Sequence, residues 1–231
     1  ANPDLKWETQ KQVNAGVDMG FINNRLLVTV DAYQSQTSDL LLDVPLPRSS
    51  GFSSQLQNVG SVRNRGLELG ITTVNVESKR FGWRSTLNVS ANRNRVLDLG
   101  GRDFIDPGTS RYGFFIGNLS SHIVQVNQAL GSFYGFQVNN IFQQGDACPL
   151  KAPRQGVDCV PGEYNVLDAN GDGKIDQSDR IILGTAEARF YGGLSNSVRS
   201  GPFSLDAFIT FSQGNKAANI GRPWTEPAPG I

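Results

Sequence analysis

Runs of alternating apolar and polar residues, longer than an ordinary strand, recur along this chain and confine it to extended β structure. The clearest is 203–212, where Phe203, Leu205, Ala207, Ile209 and Phe211 share one face and Ser204, Asp206, Thr210 and Ser212 lie on the other. The run 83–92 opposes Trp83, Leu87, Val89 and Ala91 to Arg84, Thr86, Asn88, Ser90 and Asn92. Leu26, Val28, Val30 and Ala32 stand against Thr29 and Asp31, and a weaker run over 9–19 sets Val13, Ala15, Val17 and Met19 against Asn14 and Asp18. Helical spacing fits none of them.

The runs pair through short turns. Residues 13–20 and 26–34 are joined by Phe21-Ile22-Asn23-Asn24, 66–76 and 82–92 by Glu77-Ser78-Lys79-Arg80-Phe81, and 190–198 and 203–212 by Arg199-Ser200-Gly201-Pro202. Each is a hairpin connection with turn residues. Between the hairpins lie the long segments 36–62, 94–132 and 143–188. Uneven connections, strands of about ten residues, and aromatics near strand ends (Phe81, Trp83, Phe190, Tyr191, Phe203, Phe211) are the plan of an antiparallel transmembrane β-barrel. Its short turns would be periplasmic and its long loops extracellular. A soluble β-sandwich alternates in the same way with its apolar face inward, so periodicity leaves both all-β architectures open.

Composition narrows the function classes. The hydrophobic fraction of 38% lies below the globular average of roughly 45–50%, so any core is thin. With 26 Gly, one Met and abundant Asn, Ser and Gln, the chain is not helix-rich, and a formal charge of zero gives no electrostatic reason to expect nucleic acid. No apolar run reaches the length of a membrane helix. The start, Ala1-Asn2-Pro3-Asp4, has no signal peptide, and the end is proline-rich; both suggest a fragment.

One segment has metal-ligand spacing. In the 12 residues 168–179, Asp168, Asn170, Asp172, Asp176 and Asp179 place oxygens at positions 1, 3, 5, 9 and 12, with Gly173 at position 6. A hard cation such as Ca²⁺ takes oxygen ligands, and the chain wraps it only by turning sharply at position 6, where glycine permits the turn. Lys174 would bind through its carbonyl, and Asp176 directly or through water. Asp179 stands where glutamate usually closes the shell, as in the dockerin type of loop, and its shorter arm predicts modest affinity. An Asx-rich turn that binds nothing is the competing reading. No amphipathic helix flanks the loop, so a calcium switch is not expected; the ion would staple a loop.

Cys148 and Cys159 are the only cysteines and bracket a segment rich in Pro, Gly and charge. A disulfide is expected, because a metal site would want more ligands and the lone His122 is distant in sequence. A bridge implies an oxidising compartment, which agrees with a loop suited to millimolar external calcium.

An ordered series of motifs then carries a resemblance. Residues 2–9 (Asn-Pro-Asp-Leu-Lys-Trp-Glu-Thr), Asn23-Asn24-Arg25-Leu26, the run from Asp39 to Pro47, and the run from Gln57 to Leu69 come first. Leu130-Gly131-Ser132-Phe133-Tyr134-Gly135-Phe136, the calcium-type loop, Ile182-Leu183-Gly184, Phe190-Tyr191-Gly192-Gly193-Leu194 and Phe211-Ser212-Gln213-Gly214-Asn215 follow. In that order they resemble the barrel of SusC/RagA-type TonB-dependent transporters, and the likeness spans most of residues 1–231.

The resemblance implies an outer-membrane importer of glycan or peptide, with a plug inside a barrel of about 22 strands. A SusD-like surface lipoprotein would cover its mouth, and TonB would pull on the plug. This chain shows no plug, no TonB-binding segment and no closing strands, and about eight or nine strands are expected in it, so it would supply part of the wall. Outward residues would face outer-membrane lipid, and Arg84, Asn88, Asn92, Asp206 and Thr210 the lumen. Segment 143–188, with disulfide and calcium loop, would be an extracellular loop near the mouth.

Asn64, Arg65 and Glu68 read as lumen or rim residues bonded within the wall. Tyr112, Phe114, Phe115 and Phe133 have the chemistry to stack on sugars, though aromatics of this kind more often pack loops. Enzyme function is not expected: Asp39, Asp43, Asp103 and Asp106 form no evident acid and base pair, and His122 lacks a nucleophile elbow. The alternative class is a soluble calcium-binding β-sandwich acting as an adhesin or carbohydrate-binding module.

Overall fold

The computed structural model describes residues 2–46, 48–52, 54–105, 122–151, 153 and 158–217. In chain order its strands are β1 (Thr9–Phe21), β2 (Leu26–Ser38), β3 (Leu41–Pro45), β4 (Ser54–Asn58), β5 (Ser61–Glu77), β6 (Phe81–Asp98) and β7 (Phe104–Ile105). There follow β8 (His122–Gln125), β9 (Ser132–Gly135), β10 (Val138–Ile141), β11 (Tyr164–Val166), β12 (Ile181–Thr185), β13 (Phe190–Ser200) and β14 (Phe203–Gln213). Two units result, one of residues 1–104, 125–130 and 187–215 and one of residues 105–124, 131–186 and 216–231. Among the described residues no helix is long and apolar enough to cross a membrane.

The first unit is organised by one antiparallel sheet in the order β1-β2-β5-β6-β13-β14. Its register assigns every side chain to a face. Phe21, Leu26 and Thr73 form one cross-strand row, and Val17, Val30, Leu69 and Val89 another. Leu194 pairs with both Leu87 and Ile209 on that same side. The opposite side carries Asp18, Thr29, Asp31, Glu68, Ser90, Arg84, Asn88, Asn92, Asp206 and Thr210, so the five residues expected in the lumen do share a face.

Exposure decides between the two all-β architectures. Val13 is 74% exposed, Val17 57%, Leu205 67% and Ile209 59%, so among the described residues no second sheet covers the apolar face. A sandwich would bury that face against a partner sheet. From Phe81 to Ala91 the apolar positions of β6 run roughly 33 Å along the strand, which at a tilt of about 40° rises roughly 25 Å, the height of a lipid-facing band. The long strands also continue beyond the band, to Ser38, Ser61 and Asp98.

Turn chemistry sets the registers at the short end. Ile22, Asn23 and Asn24 all adopt left-handed backbone (φ 55°, 52° and 61°), and the Arg25 N–H donates to Ile22 O at 3.1 Å. Asparagine enters this region more readily than most residues, which suits the Asn-Asn pair to a tight reversal. In the β13–β14 turn Gly201 takes φ 58°, and its N–H donates to Arg80 O at 2.8 Å.

Six long strands replace the expected eight or nine among the described residues. The segments 36–62 and 143–188, read from sequence as loops, contain short strands: β3 pairs with β4 in the first, and in the second β11 and β12 pair with the preceding β10 and β9. Periodicity over three to five residues carries too little pattern to reveal them. The buried apolar residues of the first unit, Val44, Val62, Val96 and Leu99, belong to this upper region and not to the band.

In the second unit β9 pairs with both β12 and β8, and Ile123, Ser132 and Phe142 are buried there. His122 packs its ring on Phe133 at a centroid distance of 4.8 Å. Tyr112, Phe114 and Phe115 lie outside the described residues, as does Asp106.

Candidate metal loop and its brace

The 12-residue loop lies in the second unit between β11 and β12, and its carboxylates are organised by backbone amides. Asp168 accepts from Gly171 N–H at 2.8 Å and from Gly173 N–H at 2.7 Å. Asn170 Oδ1 accepts from Asp172 N–H at 2.9 Å, and Asp172 Oδ1 from Lys174 N–H at 2.8 Å. Asp176 accepts from Ser178 N–H at 2.8 Å and caps the 3-10 turn Gln177–Asp179. The side-chain oxygens at loop positions 1, 3, 5 and 9 are thus tied by bonds between neighbours along the chain.

Asp179 closes the circuit. It is 1% exposed, and its two oxygens accept from Ala169 N–H at 2.9 Å and from Asp176 N–H at 2.8 Å. The Asp176 amide, with those of Asn170 and Ala169, holds its carboxyl below the usual carboxylate range, against the desolvation that would raise it. Through the Ala169 and Asn170 amides the last loop position is tied beside the start of the loop. Gly173 has φ 87°, and a Cβ there would overlap the Lys151 side chain.

That last contact joins loop and disulfide. Cys148 and Cys159 are bonded at an S–S distance of 1.99 Å with their Cα atoms 5.4 Å apart. Lys151, inside the bridged segment, donates its N–H to Gly173 O at 2.9 Å. On the other flank Arg180, 8% exposed, donates to Tyr134 O at 3.1 Å and lays its guanidinium 4.3 Å from the Tyr134 ring centre. Beside the bridge is a cavity of 240 Å³ whose lining includes Phe142, Leu150, Glu163, Tyr164 and Ile175.

The residues fit a hard cation in chemistry: the donors are all oxygen, and a carboxylate oxygen that accepts one amide bond keeps a second acceptor site. Among the described residues, however, no three His, Cys, Asp or Glu side chains converge as a metal cluster. The loop brings Asp179 to Asp168 and spaces Asn170, Asp172 and Asp176 along turns.

Sequence reasoning missed three participants: Lys151, Arg180 and, in the first unit, Glu187. Glu187 accepts from Asn92 Nδ2 at 2.7 Å and from Asn94 Nδ2 at 2.8 Å, and Asn94 Oδ1 accepts from Leu130 N–H at 2.6 Å. No local signal marks them, because each partner is distant in sequence. Asn64 and Glu68 stand on the polar face as expected, but the register places Arg65 on the opposite face, where it donates to Gln34 at 2.6 Å.

The profile described as TonB dependent receptor-like, beta-barrel, matches residues 1–220. The chain belongs to that family. TonB-dependent receptor P3 of Formosa agariphila is 37% identical over 221 residues, covering 95% of this chain and 22% of that protein. TonB-dependent receptor SusC of Bacteroides thetaiotaomicron is 29% identical, covering 93% of the chain and 20% of that protein. The RagAB peptide importer in its open-open state superimposes with a TM-score of 0.70 at 28% identity, over 93% of this chain and 21% of the solved one. The chain therefore spans about a fifth of the length of the relatives it matches. Members of this TonB-dependent receptor family are outer-membrane β-barrels, and the apolar and polar faces of the six-stranded sheet are those of a barrel wall.

Proposed function

We propose that this chain forms part of the wall and extracellular loops of an outer-membrane importer of oligosaccharide or peptide, driven by TonB and partnered by a SusD-like surface lipoprotein. The observation that carries the proposal is a sheet with a lipid-type face and a polar face on a chain that matches the barrel family over residues 1–220. The RagAB neighbour is a peptide importer and the SusC relative a TonB-dependent receptor, which supports uptake of nutrients too large for simple pores. The role carries no catalytic chemistry: the wall offers hydrogen-bonding side chains, and energy enters elsewhere. Disrupting the gene should abolish growth on one class of sole nutrient, oligosaccharide or peptide, and affinity purification of the tagged protein should retain a surface lipoprotein. Unchanged growth on both classes would overturn the importer reading.

We also infer that loop 168–179 holds a structural Ca²⁺ through Asp168, Asn170, Asp172, Asp176, Asp179 and the Lys174 carbonyl. Asp179 accepts from the amides of Ala169 and Asn170, the residues that follow Asp168, so a carboxylate stands at each end of the folded loop and a cation between them would be favoured. Gly173 supplies the sharp turn, and the Lys151 amide and the disulfide brace it from outside. Isothermal titration with CaCl₂ should show one site, which Asp168→Asn with Asp179→Asn abolishes.

A further inference from the structure

Above the apolar band the outward face changes character abruptly. The last apolar row is Ala15, Ala32, Leu67 and Ala91; the next is Val13, Gln34, Arg65 and Arg93, and the one beyond is Lys11, Gln36, Arg63 and Arg95. Arg65 stands directly opposite Arg93, and Arg63 opposite Arg95. Cross-strand neighbours are about 5 Å apart and successive same-face residues about 7 Å, so four guanidinium groups arise from one small patch. Lys11, Arg65, Arg93 and Arg95 are exposed and Arg63 half-buried.

Like charges directly opposite one another destabilise a sheet, and here two such pairs are stacked. Neither of the two rows holds a carboxylate to offset them. Five of the six carboxylates of the long strands, Asp18, Asp31, Glu68, Glu77 and Asp206, fall on the polar face by register; Asp98, shifted by a β-bulge to stand opposite Ser61, lies on the outward face one row beyond Arg63 and Arg95, where its Oδ2 accepts from Gly100 N–H at 3.2 Å. Among the described residues none of the five cations joins an ion pair.

We infer that Lys11, Arg63, Arg65, Arg93 and Arg95 form a binding site for the phosphate of an outer-leaflet glycolipid, whose acyl chains lie on the apolar band below. The reading rests on the barrel-wall assignment. The patch lies at the long-loop end of the strands, hence on the extracellular side, and one to two rows beyond the band, hence at headgroup depth. Arginine predominates, as suits phosphate, because its planar fork grips two oxygens at once. Continuity between band and patch selects a lipid phosphate over a free one: one molecule satisfies both surfaces.

The test uses the complete protein reconstituted in phosphatidylcholine vesicles doped with either bisphosphorylated lipid A or its dephosphorylated form. After gentle detergent extraction, glycolipid retained per protein is counted by mass spectrometry. Retention of the phosphorylated form should exceed that of the other by about tenfold or more, as several interfacial cations acting together require. The variant Arg63→Gln, Arg65→Gln, Arg93→Gln, Arg95→Gln should lose the preference while still inserting, whereas Lys79→Gln with Arg80→Gln, in the β5–β6 turn, should keep it. Equal retention of both forms, or a preference that survives the fourfold variant, overturns the site. Displacement of the lipid by millimolar inorganic phosphate overturns the lipid source in favour of a free anion. Failure of the wild type to insert in vesicles at all overturns the membrane-wall reading itself, and the site with it.

Discussion

Asp179 shows how much one residue can organise. It is buried, ionised and bonded to three backbone amides, those of Asp176, Ala169 and Asn170. Because those bonds lower its pKa in the folded state, its stabilising contribution is full above the ordinary carboxylate range and is lost as pH falls through the folded value below it. Amide hydrogen exchange over 168–182 should therefore stay slow down to about pH 4 and accelerate only in stronger acid. Asp179→Asn keeps the shape but turns an amide donor toward a backbone donor. It should loosen the same segment by about 1.5–3 kcal/mol at neutral pH, read from the same exchange profile. A close approach of another kind occurs at Gly66, whose missing Cβ leaves room for the Tyr33 ring, and Tyr33 Oη donates to Asn92 at 3.1 Å. The register of the 12-residue loop was legible in sequence because oxygen side chains at fixed spacing leave a pattern. The burial of Asp179 was not, since it depends on the amides of Ala169 and Asn170, ten and nine residues away, being folded back onto its carboxylate.

At the scale of elements, the two faces of the wall predict opposite tolerance to charge. Val17 lies midway along the apolar positions of β1, so Val17→Arg should destabilise the membrane-inserted fold by about 2–4 kcal/mol, read as a lowered denaturant midpoint in vesicles. Asn14→Arg, on the polar face of the same strand, should change it little. The brace behaves independently of the wall. Replacing Cys148 and Cys159 by Ser frees a loop of sequence separation 11, and chain-entropy reasoning assigns about 3 kcal/mol to such a closure. Chelating calcium should likewise speed exchange over 160–185. Neither treatment should alter exchange in β5 or β6, and uniform melting on chelation would show instead that the ion organises the whole domain. Long strands were legible because ten or more alternating positions average out exceptions such as Phe208 on the polar face. β10 and β11, of four and three residues, were not, because their pairing is chosen by contacts across more than twenty residues.

For the whole molecule, the decisive fact is that the sheet is open. β1 and β14 stand at its two edges with 13 and 11 residues, and among the described residues neither edge is paired, blunted by a bulge or covered. Unpaired N–H and C=O groups cannot be left in hydrocarbon, which admits only closed barrels. Residues 1–231 expressed alone should therefore aggregate through these edges, with detergent failing to rescue a monodisperse species. The complete protein, in which further strands of the TonB-dependent receptor barrel pair with β1 and β14, should be detergent-soluble. It should migrate faster on gels before boiling than after, the mark of a barrel that resists unfolding until heated. A monodisperse, detergent-independent 231-residue chain would mean that the apolar face is covered within this segment, and the membrane assignment would fall with it. The exposure of Val13, Val17, Leu205 and Ile209 argues for the opposite result, because water disfavours roughly 25 cal/mol for each Å² of such surface while lipid does not.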